Sequence, residues 1–449
     1  MLNYNLTEGK VSRSLLLFSL PMILGNLIQQ LYNVTDTLIV GKTIGSTALA
    51  AVGSSYALMV LLTSIVLGLC MGSGVVFAQL FGAKRIEDMK TSIWNAFVFV
   101  LLLSFVINVV SYLLLDHFII WLKIPVQSIE PTRIYLKIIL AGMTFVSIYN
   151  FFASVLRSIG NTLMPLVFLA ISAVTNIVLD LVFIMVFHLG VAGAALATII
   201  AQAVSAICVM IYFFKKAKHI SPRRQHMHMD KQLLKQIAGN SVLTSAQQSI
   251  MNLGILMVQG LVNSFGFAAS AAFAAVVKID AFAYMPAQDF GNAFATFIAQ
   301  NYGANKTNRL RQGTVSAMRI SSVFCVLASA CVWIFAKPLM LVFVNAGETE
   351  IIHIGMQYLR TEGLFYVGIG ILFLLYGLFR GLGKSTVSII LTSISLGSRV
   401  VLAYTLSAIP AMGMTGIWWS IPIGWALADI VGIWIYLKYQ KKLKPSLAG

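Results

Sequence analysis

The sequence predicts an all-α integral membrane protein with twelve transmembrane helices, arranged as two six-helix bundles related by a pseudo-two-fold axis along the membrane normal. Three observations carry this expectation. The chain of 449 residues is 59% hydrophobic and 10% charged, with a mean hydropathy of +0.89, whereas soluble domains carry about 25% charged residues. Apolar stretches long enough to cross a bilayer recur twelve times. Landmarks of the first half return in the second at a nearly constant spacing.

A hydrocarbon core about 30 Å thick needs about 20 apolar residues in a helix. In order, the stretches run 14–40, 46–80, 92–115, 132–156, 164–188, 190–214, 237–262, 267–302, 314–336, 350–379, 385–409 and 413–438, each broken by Gly, Pro or charge. The first is too long and too polar-striped for the apolar core of a signal peptide, so it is expected to stay as a span. The second and eighth exceed a perpendicular crossing, which tilt absorbs, and Pro286 in the eighth is a natural kink point. Cys70, Cys208, Cys325 and Cys331 all fall in apolar stretches and form no CxxC pair. They read as small buried hydrophobes rather than a disulfide framework or zinc site.

The segment Ala78-Gln79-Leu80-Phe81-Gly82-Ala83-Lys84 returns as Ala299-Gln300-Asn301-Tyr302-Gly303-Ala304-Asn305, a shift of 221 residues. Leu156-Arg157-Ser158-Ile159-Gly160 returns as Phe379-Arg380-Gly381-Leu382-Gly383, a shift of 223, at which Gly193 also meets Gly416. Each half holds six spans, so the second copy enters the membrane in the orientation of the first. This divides the chain into an N-terminal lobe 1–214, a basic linker 215–236 and a C-terminal lobe 237–449.

The excess of 31 Lys and Arg over 14 Asp and Glu is a topology signal. On the side of the N-terminus fall Lys10, Arg13, Lys84, Arg85, Lys90, Arg157, Lys215, Lys216, Lys218, Arg223, Arg224, Lys231, Lys235, Lys306, Arg309, Arg311, Arg380, Lys384, Lys438, Lys441, Lys442 and Lys444. The opposite side receives only Lys42, Lys123, Arg133, Lys137, Lys337 and Arg360. The positive-inside rule therefore places both termini in the cytoplasm, in a plasma membrane protein. Basic residues spread over every inner loop, rather than gathered on one face, argue against a nucleic-acid partner.

Asn26, Gln30, Asn33, Asp36 and Thr37 share roughly one face of the first span. A carboxylate inside a spanning helix costs at least roughly 2.5 to 3.5 kcal/mol on insertion scales, so Asp36 is expected to face a cavity and carry function. With the basic residues of the first half assigned to its loops, none within the spans neutralises it. Ser172, Thr175, Asn176 and Asp180 share a second polar face, at i, i+3, i+4 and i+8. Side-chain oxygens of this kind suit a hard cation. The expectation is a transport protein.

The whole chain resembles the multidrug and toxic compound extrusion family of cation-coupled antiporters. The residues that carry the resemblance are Pro21, the run Asp36-Thr37-Leu38-Ile39-Val40-Gly41, the turns 78–83 and 157–160, and Met285-Pro286, in their order along twelve spans. The resemblance implies export of amphipathic, often cationic compounds in exchange for sodium ions or protons, by alternating access. It also implies a cation site of Asp36, Asn150, Asn176, Asp180 and Thr198, with sodium held at Asp36, Asn176 and Asp180. No cofactor beyond the coupling ion is expected; the expected partners are the small-molecule cargo and membrane lipid, with no obligate protein partner.

Another branch of that family places acidic residues in the seventh and tenth spans. Here the seventh has Gln247, Gln248, Asn252, Gln259 and Asn263 but no carboxylate, and the tenth only Glu362, so that second site is not carried over. Polar residues expected to line a substrate cavity are Gln30, Asn33, Gln248, Asn252, Lys278, Asp280 and Asp289. Lys278 and Asp280 read either as structural partners of another helix or as a substrate-side switch. Lys278 and Asp289 share a face but lie about 16 Å apart along a helix, too far to pair.

Three other patterns carry little. Gly381-Leu382-Gly383-Lys384-Ser385-Thr386 resembles a phosphate loop, but Leu378 stands where its first Gly is required. His219, His226 and His228 in the linker read as a solvated loop. Asp116-His117 lacks the third partner that an enzyme site would need. Two alternative functions stay open: a flippase for lipid-linked saccharides, whose cavity would need several cations, and an integral membrane enzyme. The coupling ion is also open between sodium and proton. A proton needs only a buried carboxylate, since desolvation disfavours the charged form. Five oxygen-bearing side chains exceed that need and favour sodium.

Overall fold

The computed structural model describes residues 5–121, 124 and 126–443; of the charges used for topology, Lys123 and Lys444 lie outside the described residues. The helices are α1 (Val11–Thr43), α2 (Ser46–Gly82), α3 (Ile86–Leu113), short α4 (Leu115–Trp121), α5 (Ile129–Ser158), α6 (Leu163–Leu181) and α7 (Gly190–Lys216). After the linker come α8 (Lys231–Asn263), α9 (Phe267–Gly303), α10 (Thr307–Ile334), short α11 (Ala336–Leu341), α12 (Thr349–Gly363), α13 (Tyr366–Gly381), α14 (Ser385–Ser407) and α15 (Met414–Leu443).

The repeat seen in the sequence is reproduced in element lengths and turns. Helices α1 and α8 both have 33 residues, α2 and α9 have 37, and α3 and α10 have 28. Gly45 at φ 110° and Gly266 at φ 101° open α2 and α9 in a conformation that a Cβ disfavours. Lys84 and Asn305, 221 apart, both take the left-handed conformation after the Gly-Ala turn, with φ 58° and 55°. The halves differ where α5 is continuous but its counterpart is bent by 53° between α12 and α13. No proline causes that bend, whereas α9 runs unbroken as a helix through Pro286.

Among the described residues ten helices are long and apolar enough to cross a membrane, and the bent pair α12–α13 makes an eleventh. Helix α8 completes the twelve by length. Its amides lower its hydropathy, which alone therefore underrates it. Leu102, Phe105 and Leu113 of α3 stay more than half exposed, as a helix surrounded by lipid allows.

The chain forms two compact units, 20–245 with residue 5, and 246–443 with 6–19. The boundary therefore lies inside α8 rather than in the basic segment. In the first unit α2, α5 and α7 pack around Phe77, Phe151, Phe152 and Phe213. The first turns of α8 belong here: Ser73 and Ser241 are joined at 2.9 Å, and Ser245 donates to the Ile65 carbonyl at 3.0 Å. A Cβ on Gly72 would stand 2.5 Å from the Asn240 carbonyl oxygen, so this close approach requires glycine.

The linker departs from the solvated loop expected of it. His226 is buried and its Nε2 lies 2.6 Å from Glu87 Oε2 on α3. Its Nδ1 accepts the Arg223 N–H at 3.0 Å, which leaves the proton on Nε2 to be donated to Glu87. Asn95 donates to the His228 carbonyl, and Asp230 caps α8 by accepting from Gln232 and Leu233 N–H, each at 2.9 Å. Cys331 also differs from expectation: it is exposed, while Cys70 and Cys325 are buried.

In the second unit α9 lies against α13, and Phe273, Tyr358 and Trp418 form its aromatic centre, with Phe273 stacked on Trp418 at 6.1 Å. Residues 6–9 belong to this unit because the turn after α9 captures their carbonyls. Asn301 donates to Leu6 at 3.1 Å, Lys306 to Thr7 at 2.8 Å, and Arg309 to Gly9 at 2.7 Å. Gly377 faces the Gly291 carbonyl with no room for a side chain. Gly377→Ala is expected to cost about 1–3 kcal/mol through overpacking, read as a lower melting temperature in detergent. Gly239→Ala, which meets nothing within 4 Å, is expected to show no such loss.

Candidate functional site

Asp36, Asn176, Asp180 and Thr198 come together in the first unit, from α1, α6 and α7, and all are at least nine-tenths buried. Helices α6 and α7 are neighbours joined by a short turn, and Ser172 donates to the Ala201 carbonyl at 2.8 Å. This sets the register that brings Asn176 opposite Thr198. The Asn176 amide nitrogen donates to Thr198 Oγ1 at 3.4 Å, and Thr198 donates to the Ala194 carbonyl one turn back at 3.0 Å. The amide is thereby turned so that Asn176 Oδ1 is left without a donor.

The Asp36 and Asp180 side chains are close enough to interact directly. Yet Asp36 Oδ1 and both Asp180 oxygens accept no hydrogen bond. Buried acceptors without a donor cost about 1–3 kcal/mol apiece, so four of them in one place suit a positively charged or donating guest. Among the described residues no group of three or more His, Cys, Asp or Glu side chains is placed to hold a metal ion. A cation at this pair would complete its shell with neutral oxygens such as Asn176 Oδ1 and Thr198 Oγ1.

Two tyrosines join the cluster that sequence reasoning did not name. Tyr32 lies beside Thr198 and near both carboxylates, and Tyr135 of α5 lies near Asp36, Asp180 and Tyr32. Tyr32 precedes Asp36 by one helical turn, a spacing readable in the sequence. Tyr135 had no such signal. Val40, Ala48, Ile139, Ile184 and Ala194 pack around Tyr135 as an apolar cluster on one side of the site. Immediately past Asp180, residues 182–186 form a π turn, with Phe187 N–H donating to the Val182 carbonyl. Such turns insert an extra residue and concentrate at functional sites.

Asn150 is not brought into this cluster. It sits fifteen residues beyond Tyr135 on α5, about 22 Å of helical rise, and its amide donates to the Val146 carbonyl of its own helix at 2.9 Å. Helix α5 begins at Ile129 and so takes in Arg133 and Lys137, which the sequence assigns to an outer loop. Arg133 is held by Asp116 and Glu130 at 3.0 and 2.7 Å, and Lys137 is exposed. Gln30 and Asn33, half-buried on α1, belong to the first unit.

The other residues expected to line a substrate cavity lie in the second unit. Asn252 donates to the Gln248 carbonyl at 3.1 Å. Lys278 is exposed and lies 6.0 Å from the Phe343 ring centre, and Asp289 is buried. Asp280, on the opposite side of α9 from Lys278, is buried and accepts the Tyr366 hydroxyl. Lys278 and Asp280 thus have separate surroundings.

Twelve spanning helices in two repeated halves, with a buried polar cluster inside the membrane-embedded part, define a polytopic membrane transporter. The MatE family model matches residues 21–182 and 241–405, one match in each half. The chain belongs to the MatE family. It is 31% identical over 442 residues to the probable multidrug resistance protein YpnP of Bacillus subtilis, covering 98% of this chain and 97% of that protein. It is 26% identical to the probable multidrug resistance protein NorM of Thermotoga maritima, covering 94% and 90%. Among solved structures, MATE in the bent conformation superposes with a TM-score of 0.93 at 24% identity over 100% of both chains. An outward-facing multidrug resistance MATE family transporter gives 0.92 at 23% identity over 99% of each. These structures share the fold.

Proposed function

We propose that this protein is a secondary active exporter of amphipathic, often cationic compounds, exchanging them for sodium ions or protons at the Asp36–Asp180 pair. One observation carries the reading: two buried carboxylates stand side by side in the membrane-embedded part of the first unit, three of their four oxygens accepting no hydrogen bond, with Asn176 and Thr198 oxygens beside them. A carboxylate pair that is costly when empty binds a cation or proton in one conformation and releases it in another, provided that access alternates. Relatives described as multidrug resistance proteins, and the multidrug export protein MepA of Staphylococcus aureus at 22% identity over 98% of this chain, support the class of cargo.

The test is dye movement in reconstituted vesicles. An imposed sodium or proton gradient should drive a cationic dye against its own gradient. If neither gradient moves the dye, the exporter reading fails and a saccharide-lipid flippase or membrane enzyme takes its place. We further propose that both termini face the cytoplasm of a plasma membrane protein, since 22 of the basic residues assigned to loops fall on the side of the N-terminus and only six on the other. A cysteine introduced at Gln225 in a cysteine-free background is expected to react only with a reagent admitted to the cytoplasm. Reaction from outside intact cells would reverse the topology.

A further inference from the structure

The second unit holds a cavity of about 80 Å³ whose lining includes Asp280, Glu362 and Arg399. Glu362 lies in the last turn of α12 just before the bend, and Tyr366 opens α13 just after it, so the break sets both against Asp280 on α9. Asp280, Glu362, Tyr358 and Tyr366 form one acidic, hydroxyl-bearing patch. Arg399 comes from α14. Glu362 is 3% exposed and Arg399 8%, and no ion pair within 4.0 Å joins Arg399 to either carboxylate among the described residues.

Two atoms in this cavity are orphaned in opposite senses: Glu362 Oε2 is a buried acceptor without a donor, and Arg399 Nε is a buried donor without an acceptor. A purely cationic guest satisfies the first and is repelled by the guanidinium. A purely anionic guest does the reverse. Among charged guests, only one with both charges on one small head satisfies both groups at once. Aromatic walls from Phe273, Tyr284, Phe373, Tyr376 and Trp425 add a face for an ammonium group and apolar contact for the adjoining carbon skeleton.

We propose that this cavity binds amphiphiles with a zwitterionic head, an ammonium and a carboxylate within a few bonds of each other. The carboxylate lies on Arg399, and the ammonium lies between Glu362, Asp280 and the aromatic rings. The cavity takes the head group while the apolar tail extends beyond it. That such a ligand is cargo rests on the exporter reading; that it binds does not.

The experiment titrates purified full-length protein in detergent with a matched fluorescent series: Nε-dansyl-lysine (zwitterion), its methyl ester (cation) and its Nα-acetyl derivative (anion). Wild-type protein should bind the zwitterion at least about tenfold more tightly than either single-charge form. Arg399→Gln should bring the zwitterion and ester within about twofold of each other, and Arg399→Lys should restore part of the preference. Glu362→Gln should bring the zwitterion level with the acetyl form. Equal or tighter binding of a single-charge probe to wild type, or no binding of the zwitterion, overturns the proposal without any variant. So does a zwitterion-to-ester ratio unchanged by Arg399→Gln. Gradient-driven export of a cationic dye without head-group discrimination would leave the exporter reading standing and this one refuted. Discrimination without any export would do the opposite.

Discussion

Asp36→Asn is expected to abolish gradient-driven efflux while leaving the protein inserted and folded. The amide keeps the size of the carboxylate but removes the charge that a cation or proton must neutralise. Asp36 Oδ1 accepts no hydrogen bond in the folded chain, and an amide in its place can still pair with the neighbouring Asp180 side chain. Removing one partner of a buried charge interaction costs about 2–5 kcal/mol, a loss of roughly 30- to 5000-fold in ion affinity. Vesicles carrying the variant should show dye efflux at the level of protein-free vesicles, with an unaltered size-exclusion profile. Wild-type efflux from the variant would remove Asp36 from the coupling site.

The second large effect separates the two coupling ions. Sodium needs several oxygens to replace its hydration water, whereas a proton needs one carboxylate. Asn176 Oδ1 is unpaired because its amide nitrogen is committed to Thr198. If sodium is the coupling ion, as the count of oxygens favours, Asn176→Ala and Thr198→Ala should each raise the sodium concentration for half-maximal efflux about 5- to 30-fold, equivalent to about 1–2 kcal/mol per neutral ligand. Efflux driven by a pH gradient in sodium-free vesicles should change far less. Full pH-driven efflux with no response to added sodium, in wild type as in both variants, would assign the site to protons.

Much of the fold was legible because a bilayer imposes simple rules. Span lengths follow hydrocarbon thickness, and the 221- and 223-residue offsets that pair Gly82 with Gly303 and Gly160 with Gly383 reappear as matching turns. Hydropathy hid the polar α8, and no proline signalled the bend after Gly363. The bend was unreadable because Gly363, which ends α12 at the break, is one of many glycines in the spans and no proline stands beside it.

The site was legible where its residues share a helix face. Asn176 and Asp180 are one turn apart, and Asp36 stands on the polar stripe of α1. Tyr135 was silent, since an aromatic residue in a span has many uses and its closeness to Asp36 arises only from the packing of α1 against α5. Asn150 had the expected residue type, but its amide donates to its own helix. His226 looked like a loop histidine until Glu87, 139 positions away, was placed beside it. Asp280, Glu362 and Arg399 come from three helices, and no spacing in one dimension links them.

The central claim is that export and ion movement are one event passing through the Asp36–Asp180 pair. It is tested most directly by running the exchange backwards. Vesicles with equal sodium and pH on both sides receive a dye gradient, and an internal ion indicator records sodium or proton flux. Wild-type protein is expected to move one of these ions opposite to the dye, and Asp36→Asn to move neither. Dye movement in wild type without opposed ion flux, or the same ion flux in Asp36→Asn, would contradict the account.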